Sequence, residues 1–215
     1  MNTQLETQMK RAVLILCTTA LLAGCNTTPS KRTAATQARI EIMDSVGFTI
    51  TEDSRVSGDV RSDYDRAMEL LGRGELDEGI ALLETVVEQS SDLSAPRIDL
   101  AIAYHNRGDL ESAETQLKQV LDMNPDHPIA LNELGIVYRK TARFAEARQQ
   151  YEAALAVYPG YHYARRNLAV LCDLYLDDLD CAISNYEAYM TTVRSDDEAA
   201  MWLKTARFRA GRMEN

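Results

Sequence analysis

The sequence predicts an all-α solenoid, a stack of about four helical hairpins closed by a C-terminal helix, and three observations carry that prediction. From residue 60 onward, residues of like character recur at a spacing of 34: Gly79, Ala113 and Ala147; Leu70, Tyr104, Tyr138 and Cys172; Val86, Val120 and Ala154. Within each unit the apolar residues fall three and four apart, which collects them on one face of a helix. Pro125 and Pro159 stand at the same phase, where a fixed φ and a missing N–H end one helix before the next begins. A hairpin of two helices cannot bury its apolar face alone, so at least three such units must stack.

In chain order, residues 1–24 read as a removed leader. Lys10 and Arg11 precede an apolar run from Ala12 to Gly24, 13 residues long, whereas a helix crossing a bilayer needs roughly 20. Residues 25–38 are rich in Thr, Ser, Ala and Gln without apolar periodicity, and read as a flexible tether that at roughly 3.3 Å per residue reaches several tens of ångströms. In residues 39–59, Ile40 and Ile42, then Phe48 and Ile50, alternate as in short strands around Val46-Gly47. This segment is expected to be a small ordered lead-in packed on the first repeat.

The repeats then occupy 60–93, 94–127, 128–161 and 162–195. In the third, Leu131, Leu134, Gly135 and Tyr138 share a face of the first helix, and Phe144, Ala147, Tyr151, Ala154 and Leu155 share a face of the second. Gly135 is expected to lie opposite Ala147 and let the paired helices approach. The first copy departs from the pattern, with Arg66 where the others have Leu and Ser91 where they have Pro. The fourth carries one inserted residue, since Ala182 follows Ala147 by 35, and the insertion falls in the Gly-free turn at 175–179. Cys172 and Cys181 flank that turn on antiparallel helices. They read either as a disulfide, if their Cα atoms lie within about 7 Å, or as two buried free thiols. Ser195-Asp196-Asp197-Glu198 then caps a helix in 196–215 with Ala199, Trp202, Leu203, Ala206 and Ala210 on one side.

The period of 34, the small residues at fixed offsets and the Pro after each second helix resemble the tetratricopeptide repeat (TPR) family over about 130 residues. Leu22-Ala23-Gly24-Cys25 resembles a bacterial lipobox. That resemblance implies cleavage before Cys25 and its acylation by diacylglyceryl and palmitate-type chains. By the enterobacterial sorting rule, Asn26 in place of Asp implies the periplasmic face of the outer membrane. In layout the chain is similar to pilotin-type TPR lipoproteins, which help assemble secretion and pilus channels. The segment from Gly47 to Tyr64 with its repeats also resembles TPR proteins that accompany ExbB-ExbD-TonB energy-transduction systems.

Composition narrows the partners. The net charge is −10; removing Glu6, Lys10 and Arg11 with the leader leaves 21 basic and 32 acidic residues, or −11. Phosphate neutralisation needs clustered cations, so nucleic acid is excluded, and membrane attachment falls to the acyl chains rather than the protein surface.

Catalytic chemistry finds no support. His105, His127 and His162 read as surface or groove histidines, without neighbours at metal-ligand spacing. The chain has no Gly-rich phosphate loop, Gly-x-Ser-x-Gly elbow or His-Glu-x-x-His. Asp177-Asp178 and Asp196-Asp197 read as exposed acids in a turn and a cap. No catalytic, cofactor-binding or metal-binding residue is assigned, and no enzyme activity or small-molecule substrate is expected.

A TPR array offers instead a concave surface lined by its first helices. The register places there Tyr64 and Met68; Ile98, Ile102 and His105; Asn132, Ile136 and Arg139; and Tyr163, Arg166, Val170 and Asp173. The clamp that holds a peptide's terminal carboxylate in chaperone-binding relatives uses Asn and Lys at corresponding positions, and this chain departs from it. An apolar groove with polar edges remains, open to protein partners or else covered by the lead-in or the C-terminal helix. The expected function is a lipid-anchored interaction scaffold for an envelope complex. The alternatives are an adaptor for peptidoglycan-processing enzymes and a hydrolase with an unrecognised site.

Overall fold

A computed structural model describes residues 39–43, 47–52 and 56–212. The leader at 1–24, the tether at 25–38 and Cys25 itself lie outside the described residues. A two-stranded antiparallel hairpin comes first, β1 (Arg39–Met43) against β2 (Gly47–Thr51), with Ile40 paired to Ile50 and Ile42 to Phe48. Nine helices follow among the described residues: α1 (Gly58–Gly72), α2 (Leu76–Gln89), α3 (Ser94–Arg107), α4 (Leu110–Met123), α5 (Pro128–Lys140), α6 (Phe144–Val157), α7 (His162–Leu174), α8 (Leu179–Thr192) and α9 (Asp197–Arg209). None of them is long and apolar enough to cross a membrane.

Side chains that accept the otherwise unpaired first-turn amides set several helix starts. Ser57 accepts from Val60 N–H at 3.3 Å, Asp109 from Ser112 at 3.1 Å, Asp178 from Cys181 at 3.1 Å and Asp196 from Ala199 at 2.9 Å. Each turn inside a hairpin needs one left-handed residue, at φ 81° for Gly74, 92° for Gly108, 59° for Ala142 and 50° for Asp177. Only the first two use glycine, which adopts that region without a Cβ penalty. The inserted residue of the fourth repeat is absorbed in its turn, where Asp178 N–H donates to Cys172 O at 2.9 Å.

Small residues lie at the seam on both the first and the second helices of the hairpins. Ala67, Ala130, Ala147, Ala164 and Ala182 are fully buried, as is the Tyr151 ring. The partner of Gly135 is that ring rather than Ala147: a Cβ built on Gly135 would stand 2.5 Å from Tyr151 Cε1. An aromatic side chain placed flat against the α5 backbone needs the hydrogen of glycine there. Phe144 reaches forward to Tyr175 in the next repeat, with centroids 5.0 Å apart, and so joins successive hairpins. At the last hairpin Cys172 and Cys181 are joined by a disulfide, with Cα atoms 5.9 Å apart. The apolar side of α9 covers the end of the stack through Ala199, Ala206 and Trp202, whose ring lies 6.1 Å from that of Tyr186.

The hairpin meets the second repeat rather than the first by its clearest polar contact: both carboxylate oxygens of Glu52 accept from Ser94 N–H, at 3.0 and 2.9 Å. Leu93, at the N-cap of α3, supplies no side-chain acceptor. An acid from upstream takes that position.

Candidate functional site

The first helices α1, α3, α5 and α7 carry one residue per repeat in a continuous column. Met68 is exposed, while Ile102, Ile136 and Val170 are half-buried and packed on the core. His105 and Arg139 flank the middle of the column, both half-buried. Burial, with the nearby Lys140 and Arg139 charges, holds the His105 imidazole below its usual pKa. The Arg139 guanidinium lies 5.8 Å from the centre of the Tyr175 ring.

Other expected lining residues are spent on inter-repeat contacts. Ile98, Asn132 and Asp173 are buried, with 5%, 2% and 6% exposure, and offer little surface of their own. Ile98 belongs to the apolar core, whereas Asn132 and Asp173 are held in a polar ladder offset by about one repeat. Tyr64 donates to Asp99 at 2.5 Å, Asn167 to Asn132 at 2.9 Å, and Arg166 to Glu198 at 3.0 Å. Asp173 accepts from Arg209 and from the Tyr186 hydroxyl. Arg166 also sits 4.9 Å from the Trp202 ring, so α9 occupies that residue's charge. Tyr163 stays 59% exposed, its ring edge-on to Tyr161 at 6.0 Å. Glu133 occupies the rung that Ile98 cannot serve: its carboxylate accepts from Asn132 at 3.0 Å, and burial raises its pKa.

His127 is the clearest departure. It is not a surface or groove histidine but a buried cap, 1% exposed, with Nδ1 accepting from Ala130 N–H at 3.3 Å. An accepting Nδ1 fixes the neutral tautomer with its proton on Nε2, which lies 3.0 Å from Ser94 Oγ and donates to it. Burial pushes the pKa down to about 4. Only its place just before Pro128 at the helix start could have signalled the role. His162 begins α7 half-buried, stacked on Tyr163 at 4.1 Å.

Among the described residues the one grouping with metal-ligand proximity is Cys172, Asp178 and Cys181, within 4.8 Å. The disulfide consumes both sulfurs, and Asp178 caps α8 while pairing with Arg148 at 3.1 Å. Beside the column, a cavity of about 430 Å³ is lined by Ile50 and Glu52 together with Ile98, Ile102, His127 and Ile129.

The tetratricopeptide repeat family model matches residues 98–161 and 134–174. The array is a tetratricopeptide repeat solenoid. Its TPR fold is similar to that of MamA from Desulfovibrio magneticus RS-1, at 21% identity and TM-score 0.64 over 74% of this chain and 89% of that one. PilF of Pseudomonas aeruginosa is similar at 17% identity and TM-score 0.64, covering 71% of this chain and 69% of its own. A tetratricopeptide repeat protein from Parabacteroides merdae follows at 18% and 0.61, covering 72% and 60%. At these identities the likeness is one of fold. No curated protein sequence matches the chain.

Proposed function

We propose that this TPR solenoid is an interaction scaffold, held by acyl chains on Cys25 at the periplasmic face of the outer membrane. Its concave groove recruits protein partners for the assembly or operation of an envelope machine, of the pilus, secretion or energy-transduction kind. The observation that carries the reading is the column Met68, Ile102, Ile136 and Val170, which repeats one apolar position along the first helices. Centred on Ile102, Ile136 and Arg139, it has a partly buried aliphatic floor and polar flanks, the composition of an interface core with its rim.

Replacing Ile102 and Ile136 by Ser removes the floor while leaving the fully buried residues intact. Partner recovery in a crosslinking pull-down from the native envelope should fall by on the order of thirtyfold in affinity, about 2 kcal/mol, with helicity preserved. Full recovery by the double variant would place binding elsewhere. A murein hydrolase among the captured proteins would instead favour the peptidoglycan adaptor. For the anchor, Cys25→Ser should release the protein from the membrane fraction or leave an uncleaved precursor. Recovery of the native protein in soluble, unlipidated form would refute that part.

A further inference from the structure

Part of the groove is occupied by the chain itself. α1 and α5 are capped by neighbours in sequence, Ser57 and His127, but Leu93 gives α3 no acceptor. Glu52, 42 residues upstream of Ser94, supplies it, and the Ser94 N–H is shared between the two carboxylate oxygens. A carboxylate there also meets the positive end of the helix dipole. Two positions earlier, Ile50 lines the same cavity as Ile98, Ile102 and Ile129. In extended chain, residues two apart point to one side, so a single strand end can deliver an aliphatic side chain and a carboxylate together. Among the described residues the ribbon that carries them has two strands, and such a ribbon is marginal by itself in water. It can leave the groove without unmaking any helix.

The geometry points to the lead-in as a displaceable occupant of the concave groove. Ile50 and Glu52 close its second-repeat end, and a partner opens it by presenting an extended segment with an aliphatic residue two positions before a carboxylate. The inference rests on the scaffold reading and adds to it a partner chemistry and a regulatory step.

The test uses full-length protein and a fluorescein-labelled hexapeptide with the sequence of residues 47–52, alongside the same peptide ending in Gln. Glu52→Ala should bind the Glu peptide about tenfold more tightly than the wild type, because the open fraction of the chain rises. Both proteins should bind the Gln peptide more weakly than the Glu peptide. Amide exchange at Ser94 should quicken in Glu52→Ala and slow again when the Glu peptide is added. Equal affinity of both proteins for the Glu peptide, equal affinity for the Glu and Gln peptides, or unchanged Ser94 exchange in the variant would each overturn the inference. So would a Ser94 protection in the wild type that falls on dilution together with the molecular mass, since the occupant would then come from a second copy. If these results are negative while the Ile102 and Ile136 double variant still loses its partner, the scaffold reading stands without the occupant. If the double variant also keeps its partner, both fail.

Discussion

His127 sits where two helix starts meet, and its neutral form is what both require. Protonation at Nδ1 would replace an acceptor by a donor facing the Ala130 N–H. The folded pKa of about 4 lies below the ordinary 6.5, so between those values the unfolded chain binds more protons than the native one. Stability is therefore complete above about pH 6.5 and declines as pH falls toward 4, by up to about 3 kcal/mol from this residue. Urea titrations at pH 7 and pH 4.5 should show the loss for the wild type and a smaller one for His127→Asn, which keeps an acceptor but does not titrate there. Gly135 is held as closely by its neighbour. With the Tyr151 ring 2.5 Å from the position of a Cβ and itself fully buried, Gly135→Ala should cost about 1–3 kcal/mol, read as a lowered denaturation midpoint. An unshifted midpoint would mean that the ring moves freely aside.

At the scale of elements, the fourth hairpin differs from the other three by its longer turn and its cross-link. A disulfide closing a loop of nine residues' separation stabilises by somewhat under ~3 kcal/mol in the chain-entropy account. Alkylation without reductant, read by intact mass, should leave Cys172 and Cys181 unmodified, and reduction should lower stability by an amount of that order. The helices themselves were legible in the sequence because apolar spacing and the period of 34 report burial directly, and the insertion at 175–179 falls where the extra turn residue lies. The alternation of Ile40, Ile42, Phe48 and Ile50 marked the two short strands, though not their pairing. The groove was legible only in part. The repeat register puts Ile98, Asn132 and Asp173 on the first helices, but the burial of Asn132 and Asp173 depends on polar partners in the next repeat or in α9, such as Asn167 and Arg209. Those pairings depend on how far successive hairpins slide over one another, and periodicity does not encode that distance. The Glu52 cap on α3 spans 42 residues and follows from no local pattern.

For the whole molecule, a stack of hairpins joins neighbours only, so its stability is close to a sum of units and interfaces. Those units are unequal. α1 buries Val60 and Ala67, whereas α5 buries eight residues including Leu131, Leu134 and Tyr138. At the opposite end the Cys172–Cys181 bond closes the last hairpin and α9 seals it. The stack therefore has a mechanical direction. Under a pull applied through the amino end, where the proposed lipid anchor would act, the load reaches the weakest hairpin first. Opening then runs toward the groove and the more deeply buried third repeat. Reduction of the Cys172–Cys181 bond should loosen the far end while leaving the difference in burial in place. With that bond intact, the protein behaves as a spring that yields at its mooring and keeps its far end closed.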